Sequence, residues 1–445
     1  MSDTVTLPNS ARPAPLAKKR PRLHTMYSPQ LGIVRRPAES LPVGATYLGR
    51  RLVPPHEGIS IDFDPNLSAE HARLEVSDGD YQVVLHDLES KNGSWIGSTR
   101  LAPGGAAPVR DGQVIRLGST LFLLRYEPSK SSNVEIASLV GTSLAMRELR
   151  ARLARLARES APVLLFGETG TGKELAAGAL HQLSQRTGAL VAKNCSALPE
   201  SLIESELFGH TAKAFTGAGA RSGAFRSAHL GTLFLDEIGE LPLSQQARLL
   251  RAVEEGKITP VGADTSLDCD VRLVTATHRD LAAAVADGRF RQDLHARLAH
   301  LVVELPPLRE RREDVLLLIE HFYSEVARVL NADLVQDLLG CDFRNNVREL
   351  RQVADRLRID GDNEKLRADL RPTRPATVEV AEEVPPTERP YRLPVPSREE
   401  LIALLIKHLG TVAGLARELD CSPRQVRRWL EQHELDADAY RKKPT

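Results

Sequence analysis

The feature that most constrains this chain is the string GETGTGKE, Gly167 to Glu174, set between the apolar run APVLLF and the helical pattern ELAAGALHQL. A glycine-rich turn that leaves a buried strand and opens a helix lets backbone N–H groups converge on phosphate oxygens, and the helix N-terminus adds partial positive charge. Gly167, Glu168, Thr169, Gly170, Thr171, Gly172, Lys173 and Glu174 are therefore the candidate nucleotide-binding residues, with Lys173 reaching the β- and γ-phosphates. The general motif closes on Ser or Thr, and Glu174 stands in that place here. A second buried run, GTLFLDE, ends in Asp236 and Glu237. Asp236 is the candidate ligand of a magnesium ion, directly or through water, and Glu237 the group that polarises the attacking water.

Such a loop needs a parallel sheet around it. Between 136 and 306, helical patterns alternate with the strand-like runs APVLLFG, GALVAKN, GTLFLDE and DVRLVTATH, which predicts an α/β domain with helices on both faces. Residues 307–360 read as helices only. Before this region, residues 25–128 show short β-branched runs broken by Gly, Asp, Asn and Pro, among them YQVVLHDL, QVIRLG and TLFLLRY, the pattern of an all-β sandwich. Residues 1–24 are rich in Pro, Ala, Lys and Arg without periodicity and read as a disordered basic arm. Residues 361–396 carry repeated prolines and read as a semi-rigid linker; 397–440 hold short amphipathic helices. A length of 445 residues accommodates such a multidomain chain.

Composition narrows the function classes. Formal net charge is zero, so nucleic-acid contact must come from a local basic patch. The four cysteines show no CxxC spacing, which argues against a zinc site or disulfide framework and fits a reducing cytosol. No apolar run approaches the roughly 20 residues of a membrane span. The expectation is a soluble, cytoplasmic protein without a membrane partner.

From Leu139 to about Leu350 the chain resembles the AAA+ domain of sigma-54-dependent transcriptional activators. The strings GETGTGKE, NCSALPESLIESELFGH, KAFTGA, GTLFLDEIGELPLSQQARLLR, GRFRQDLHARL, LPPLRERREDV and NVREL carry the resemblance. It implies ATP as the nucleotide, a helical lid over 307–360, and a homo-oligomer ranging from dimer to hexameric ring. It also implies that Asn194 switches the orientation of Glu237, that Thr277 and His278 sense the γ-phosphate, and that Arg348 is the lid's sensor arginine. Arg291 and Arg297 match arginine fingers that reach the ATP of a neighbouring subunit. Arginine supplied in trans makes hydrolysis depend on assembly. In the family's signature loop GAFTGA, Phe215 and Thr216 are implied to touch sigma-54 RNA polymerase. Lys213 replaces the first glycine of that loop.

Residues 25–128 resemble a forkhead-associated (FHA) domain through LGR at Leu48 to Arg50, SAEH at Ser68 to His71 and DLESKNGSWIG at Asp87 to Gly97. The resemblance implies a phosphothreonine-bearing protein or a Ser/Thr kinase as partner. Arg50 and Ser68 match the phosphate-binding positions, and Asn92 matches the residue that grips the peptide backbone. Lys91, where Thr is common, can itself reach the phosphate, while His71 and Gly93 order the loops. Thr4 and Thr25 of the N-terminal arm are possible kinase targets.

TVAGLARELDCSPRQVRRWLEQ reads as helix, turn, helix. Leu415, Val426, Trp429 and Leu430 fall on the inward face, and Pro423 suits the start of the second helix. Arg424, Gln425, Arg427 and Arg428 are left outward for phosphates and base edges. The segment resembles the Fis-type DNA-binding domain of the same family, which implies enhancer DNA as a partner. The fold expectation is an FHA sandwich, an α/β P-loop AAA+ domain with helical lid, and an all-α helix-turn-helix. The functional expectation is an ATP-driven remodeller of sigma-54 polymerase; the competing one is a phosphothreonine-dependent DNA-binding scaffold or repressor in which Lys213 impairs sigma-54 contact.

Overall fold

The computed structural model describes residues 19–128, 134–212, 221–370 and 398–408, with isolated positions thereafter. Contacts divide the chain into two units, Met1–Pro372 and Thr373–Thr445.

The first unit opens with a β-sandwich. Its strands are β1 (Lys19–Ser28), β2 (Gly32–Ile33), β3 (Glu39–Ser40), β4 (Gly44–Gly49), β5 (Gly58–Ser60), β6 (Ala72–Val76), β7 (Val83–Asp87), β8 (Ser94–Ile96), β9 (Thr99–Arg100), β10 (Ala106–Val109), β11 (Val114–Leu117) and β12 (Thr120–Pro128). One sheet runs β2-β1-β12-β11-β8-β9 with β3 beside β1; the other runs β10-β7-β6-β4-β5. The second sheet alternates as a half-buried sheet should, with Ala72, Leu74 and Val76 of β6 and Val83 and Leu85 of β7 facing the core. The sandwich begins earlier than its periodicity suggests. Residues 19–24, expected as part of a disordered arm, pair with β12 in the register Lys19↔Pro128 to His24↔Leu123. Thr25 continues that strand opposite Phe122, so it is no tail residue. Alternating Leu23 and flanking charges give β1 one buried face, which a composition rich in Pro, Lys and Arg conceals.

The α/β domain follows. Its strands are β13 (Val163–Phe166), β14 (Leu190–Asn194), β15 (Thr232–Asp236), the hairpin β16 (Lys257–Ile258) and β17 (Leu267–Asp268), β18 (Arg272–Thr277) and β19 (Leu301–Glu304). The main sheet is parallel in the order β14-β15-β18-β13-β19. Its helices are α1 (Leu144–Leu156), α2 (Lys173–Leu183), α3 (Glu200–Phe208), α4 (Ala224–Ser227), α5 (Leu243–Glu255), α6 (Leu281–Ala286) and α7 (Gln292–Leu298). Val163, Leu165, Phe234, Val274 and Ala276 pack with α1 and α2 on one face; Leu164, Leu233, Leu235 and Leu273 pack with α3, α5 and α7 on the other. Burial on both faces is why these strands read as continuous apolar runs. Arg272, 1% exposed, donates to the Ala157 carbonyl at 2.8 Å and the Leu156 carbonyl at 2.7 Å, capping the end of α1.

The lid comprises α8 (Val315–Phe322), α9 (Ala332–Gly340), α10 (Asn346–Asp360) and α11 (Asn363–Leu370). It outruns its expected end at 360: α11 occupies the start of the supposed linker and buries Leu366 in the lid core. The remaining linker, 371–397, lies outside the described residues.

The sandwich and lid share a core. In β12, Leu121, Phe122, Leu123 and Leu124 are all buried. Phe122 and Leu124 join Leu23, Ile115 and Leu117 inside the sandwich. Leu121 and Leu123 instead join Met26, Tyr27 and Val114 in a cluster with Leu334, Val335, Leu338 and Ile319 of the lid. Helix α9 lies against β1, β11 and β12. Tyr27 Oη donates to the Leu330 carbonyl at 2.5 Å, and Arg125 donates to the Glu310 carbonyl at 2.9 Å.

In the second unit, α12 (Arg398–Lys407) buries Leu401 and Leu405 together with Leu415, Val426 and Leu430. Of these, Leu415, Val426 and Leu430 are positions expected to face inward; Trp429 lies outside the described residues. Arg424, Gln425, Arg427 and Arg428 lie outside the described residues.

Candidate functional site

The phosphate loop sits where β13 meets α2. Gly170 (φ 78°) and Gly172 (φ 104°) take left-handed conformations that favour glycine and turn the chain tightly. Lys173 is buried, and its Nζ donates to the Gly167 carbonyl at 2.9 Å and the Glu168 carbonyl at 3.3 Å. Thr171 Oγ1 donates to the Glu168 carbonyl at 2.8 Å, closing the turn. Glu174 lies exposed in the first turn of α2.

Parallel pairing sets the acids beside this loop. Asp236 ends β15, two strands from β13, in register with Asn194 on β14. Burial, reinforced by the neighbouring Glu237, raises the Asp236 carboxyl above the usual carboxylate range. Glu237 adopts φ 51°, ψ 51°, a left-handed conformation costly for a side chain with a Cβ and often found at functional sites. Its Oε2 lies 2.8 Å from His278 Nδ1. Asn194 takes another partner: its Oδ1 accepts from Ser196 N at 2.9 Å and Ser196 Oγ at 2.7 Å. Thr277, fully buried at the end of β18, accepts the Arg279 N–H at 3.0 Å.

The lid closes over the phosphate loop. A Cβ built on Gly170 would fall 2.2 Å from the Asn345 carbonyl oxygen and 3.1 Å from Arg348 Cβ, so glycine is what admits α10 here. Val347 N donates to the Gly170 carbonyl at 3.1 Å. Asn346, fully buried at φ 53°, donates to Glu168 Oε2 at 3.0 Å and the Thr169 carbonyl at 3.0 Å while accepting Leu308 N at 2.7 Å. Arg309 grips Glu168 bidentately at 2.7 and 2.8 Å, and this pair with Asn346 holds the Glu168 carboxyl low. Buried Arg311 donates to the Thr171 carbonyl at 3.1 Å. Asn346, Arg309 and Arg311 all lie within strings that mark the lid, yet motif spacing alone assigns them no contact with the phosphate loop. Arg291 and Arg297 are exposed, Arg291 pairing with Asp293 at 2.7 Å. Phe215 and Thr216, with Lys213, lie outside the described residues.

The expected phosphate-reading residues gather at one end of the sandwich. Arg50 is exposed, and its N–H donates to the Ser68 carbonyl at 2.9 Å. Ser68 Oγ accepts the Lys91 N–H at 3.1 Å, and Asn92 Nδ2 donates to the Asn66 carbonyl at 2.6 Å. His71 ties these loops from below: Nδ1 accepts Ser68 N at 3.1 Å and Nε2 lies 2.9 Å from the Gly93 carbonyl. Lys91 and Asn92 are exposed, giving a rim with two cations and short polar groups.

A phosphate loop with an acidic strand end and a helical lid defines an AAA+ ATPase domain, here joined to a β-sandwich. Comparison with known proteins agrees: residues 139–304 match the sigma-54 interaction domain, 46–118 the FHA domain and 309–382 the AAA+ ATPase lid domain. These matches give the chain a sigma-54 interaction domain with an AAA+ lid, joined to an FHA domain that precedes it in the sequence. It is 38% identical to the nitrogen fixation protein VnfA of Azotobacter vinelandii over 315 residues, covering 68% of this chain and 60% of VnfA. It is 48% identical to the DNA-binding transcriptional regulator NtrC of Azospirillum brasilense over 227 residues, covering 49% and 47%. Among solved structures it is similar to NtrX of Brucella abortus in complex with ADP, at 30% identity and TM-score 0.48, covering 67% of this chain and 70% of NtrX. The chain spans about half the length of the curated relatives it matches. Among the described residues no helix is long and apolar enough to cross a membrane.

Proposed function

We propose that this protein hydrolyses ATP as an oligomeric ring and uses the cycle to remodel closed complexes of sigma-54 RNA polymerase at promoters served by enhancer DNA. Recognition of a phosphothreonine-bearing protein, or of a Ser/Thr kinase, through Arg50, Ser68, Lys91 and Asn92 controls that activity. The observation that carries the reading is the placement of Lys173, at the start of α2, and of Asp236 and Glu237, at the end of β15, along the same edge of one parallel sheet, with Arg348 of the lid beside Gly170.

The residues fit the nucleotide and its metal. Lys173 Nζ, now spent on two loop carbonyls, can turn to phosphate oxygens. Asp236 is a half-buried acid beside a second acid, an arrangement that a divalent cation relieves; magnesium held there would neutralise phosphate charge. Glu237 orients water, its carboxylate positioned by His278, and Asn194 stands one strand away as a second partner for Glu237. Thr277 and His278 sense the γ-phosphate and Arg348 closes from the lid. Arg291 and Arg297, exposed in a single chain, complete the site of a neighbour. Phe215 and Thr216 then engage sigma-54, and Arg424, Gln425, Arg427 and Arg428 hold DNA. Partners of this kind make the cytoplasm the place of action. The match to the sigma-54 interaction domain spans the loop containing Lys213, which favours the remodeller over the scaffold.

The test is open-complex formation by the full chain with sigma-54 polymerase on an enhancer-bearing promoter. Open complexes are expected with hydrolysable ATP only. The double variant Arg291→Ala, Arg297→Ala should retain ATP binding while turnover falls by about 10³-fold or more. Equal turnover by dilute monomer lacking both arginines refutes the proposal.

A further inference from the structure

The loops assigned to phosphothreonine and the lid that meets the nucleotide are joined by short hydrogen-bonded routes. Asn92 Nδ2 donates to the Asn66 carbonyl at 2.6 Å, and Asn66 Nδ2 donates to Ser119 Oγ at 2.9 Å. Next to Ser119, the Gly118 carbonyl accepts Arg116 Nε at 3.0 Å. Arg116 Nη1 then leaves the sandwich, donating to Asp333 Oδ1 at 2.5 Å and Gln336 Oε1 at 3.0 Å on α9. Gln336 closes a loop by donating from Nε2 to the Gly97 carbonyl at 2.5 Å. Gly97 ends the segment that begins at Asn92 and runs through β8, and Trp95 of that strand lies under the Arg116 guanidinium at 5.3 Å.

The surroundings make this a stiff connection. β8 pairs with β11 through Trp95↔Arg116 and Ile96↔Ile115, and the outer face of the same sheet is buried in the lid core. Helix α9 packs on α8, which packs on α10, the helix bearing Asn346 and Arg348 beside the phosphate loop. A side chain fixed at both ends by charge-assisted bonds resists independent movement of the bodies it joins.

We propose that Arg116 and Gln336 are positioning residues that couple occupancy of the phosphothreonine loops to the nucleotide-bound arrangement of the lid. The inference rests on the functional reading above and extends it by naming the path. Coupling between two binding sites is reciprocal, so nucleotide must change phosphopeptide affinity by the factor that phosphopeptide changes nucleotide affinity.

The experiment uses the full chain and two probes. A degenerate peptide pool with one fixed phosphothreonine is titrated with and without a saturating non-hydrolysable ATP analogue. Amide hydrogen exchange at residues 92–97 is followed on adding the analogue alone. In the wild type the analogue should change pool affinity within the range of about 5–150-fold and alter exchange at 92–97. In the double variant Arg116→Met, Gln336→Met the pool and the analogue should each still bind, with affinities no longer dependent on one another and exchange at 92–97 unresponsive. Retained binding of both probes also reports that the variant is folded. Undiminished interdependence in the variant overturns the proposal, as does wild-type exchange at 92–97 indifferent to bound analogue. A pool that fails to bind while exchange behaves as expected removes the phosphothreonine reading and leaves the mechanical coupling standing.

Discussion

Replacing Leu123 by Ala isolates the contribution of the sandwich–lid interface, because Leu123 sits on the outer face of its sheet. On an independent sandwich that face meets water, and truncating a surface leucine changes stability by no more than about 0.5 kcal/mol. Here Leu123 is fully buried, and its neighbours include Met26, Tyr27, Val114 and side chains of α8 and α9. Removing its isopropyl group, three methylene-sized carbons at about 0.8 kcal/mol each, forfeits about 2.4 kcal/mol of transfer free energy. The cavity left between two rigid layers adds to that, giving an expected loss of about 2–4 kcal/mol. Urea unfolding of the full chain should be followed by far-UV circular dichroism and by Trp95 fluorescence in a Trp429→Phe background. Both probes should report one lowered midpoint, since the sandwich and lid lose their shared core together. Tyr27→Phe should act in the same direction by about 1 kcal/mol, because the buried Leu330 carbonyl loses its donor. A loss below 0.5 kcal/mol for Leu123→Ala, or separate transitions for the two probes in the wild type, would refute an obligatory interface.

Further consequences concern the buried charges at this junction and the phosphate loop. Glu313 is 3% exposed, its carboxylate oxygens lack hydrogen-bond partners among the described residues, and burial pushes its carboxyl up to about 7 despite Arg125 at 3.4 Å. Its folded value exceeds its unfolded one, so the folded state holds the extra proton between about pH 4.5 and 7 and this group's contribution to stability falls as pH rises through that window. Glu313→Gln should flatten the pH dependence of the unfolding midpoint there; an unchanged slope would assign it elsewhere. Glu127 has the opposite sign: beneath the paired His24 and Arg147 its carboxyl stays at about 2, so its stabilisation is lost only as pH falls below the ordinary carboxylate range. Asn346→Asp keeps the left-handed backbone and the acceptor for Leu308 N but sets a second carboxylate against Glu168. ATP affinity, measured with a fluorescent analogue, should fall about tenfold, equivalent to roughly 1.4 kcal/mol. Equal affinity would show that the lid stitch is dispensable for binding. Lys173→Ala should abolish nucleotide binding while leaving the thermal midpoint of the free protein within a few degrees, checked by calorimetry with and without ATP.

The phosphate loop, the acidic strand end and the two-sided parallel sheet were legible in the chain because each is local. Glycines at set spacing specify a turn, and continuous apolar runs record burial on both faces of a sheet. The clustering of Arg50, Ser68, Lys91 and Asn92 at one end of the sandwich was legible for the same reason: they fall in short strings whose loops fold back on one another. Other signals were present but ambiguous. The run LFLL in β12 is compatible with a sandwich strand of any kind, and only the lid packed against Leu121 and Leu123 explains why its outward positions are apolar. Nothing in one dimension tells Glu313 from a surface glutamate, or assigns Asn346 to Glu168 across 178 positions. Nor does spacing indicate that His278, rather than Asn194, holds Glu237 in this structure, since both stand at strand ends beside it. Such relations depend on how finished layers stack. Local pattern sets each element and its apolar face, but which face covers which is decided by shape and charge complementarity that exists only after the elements have formed.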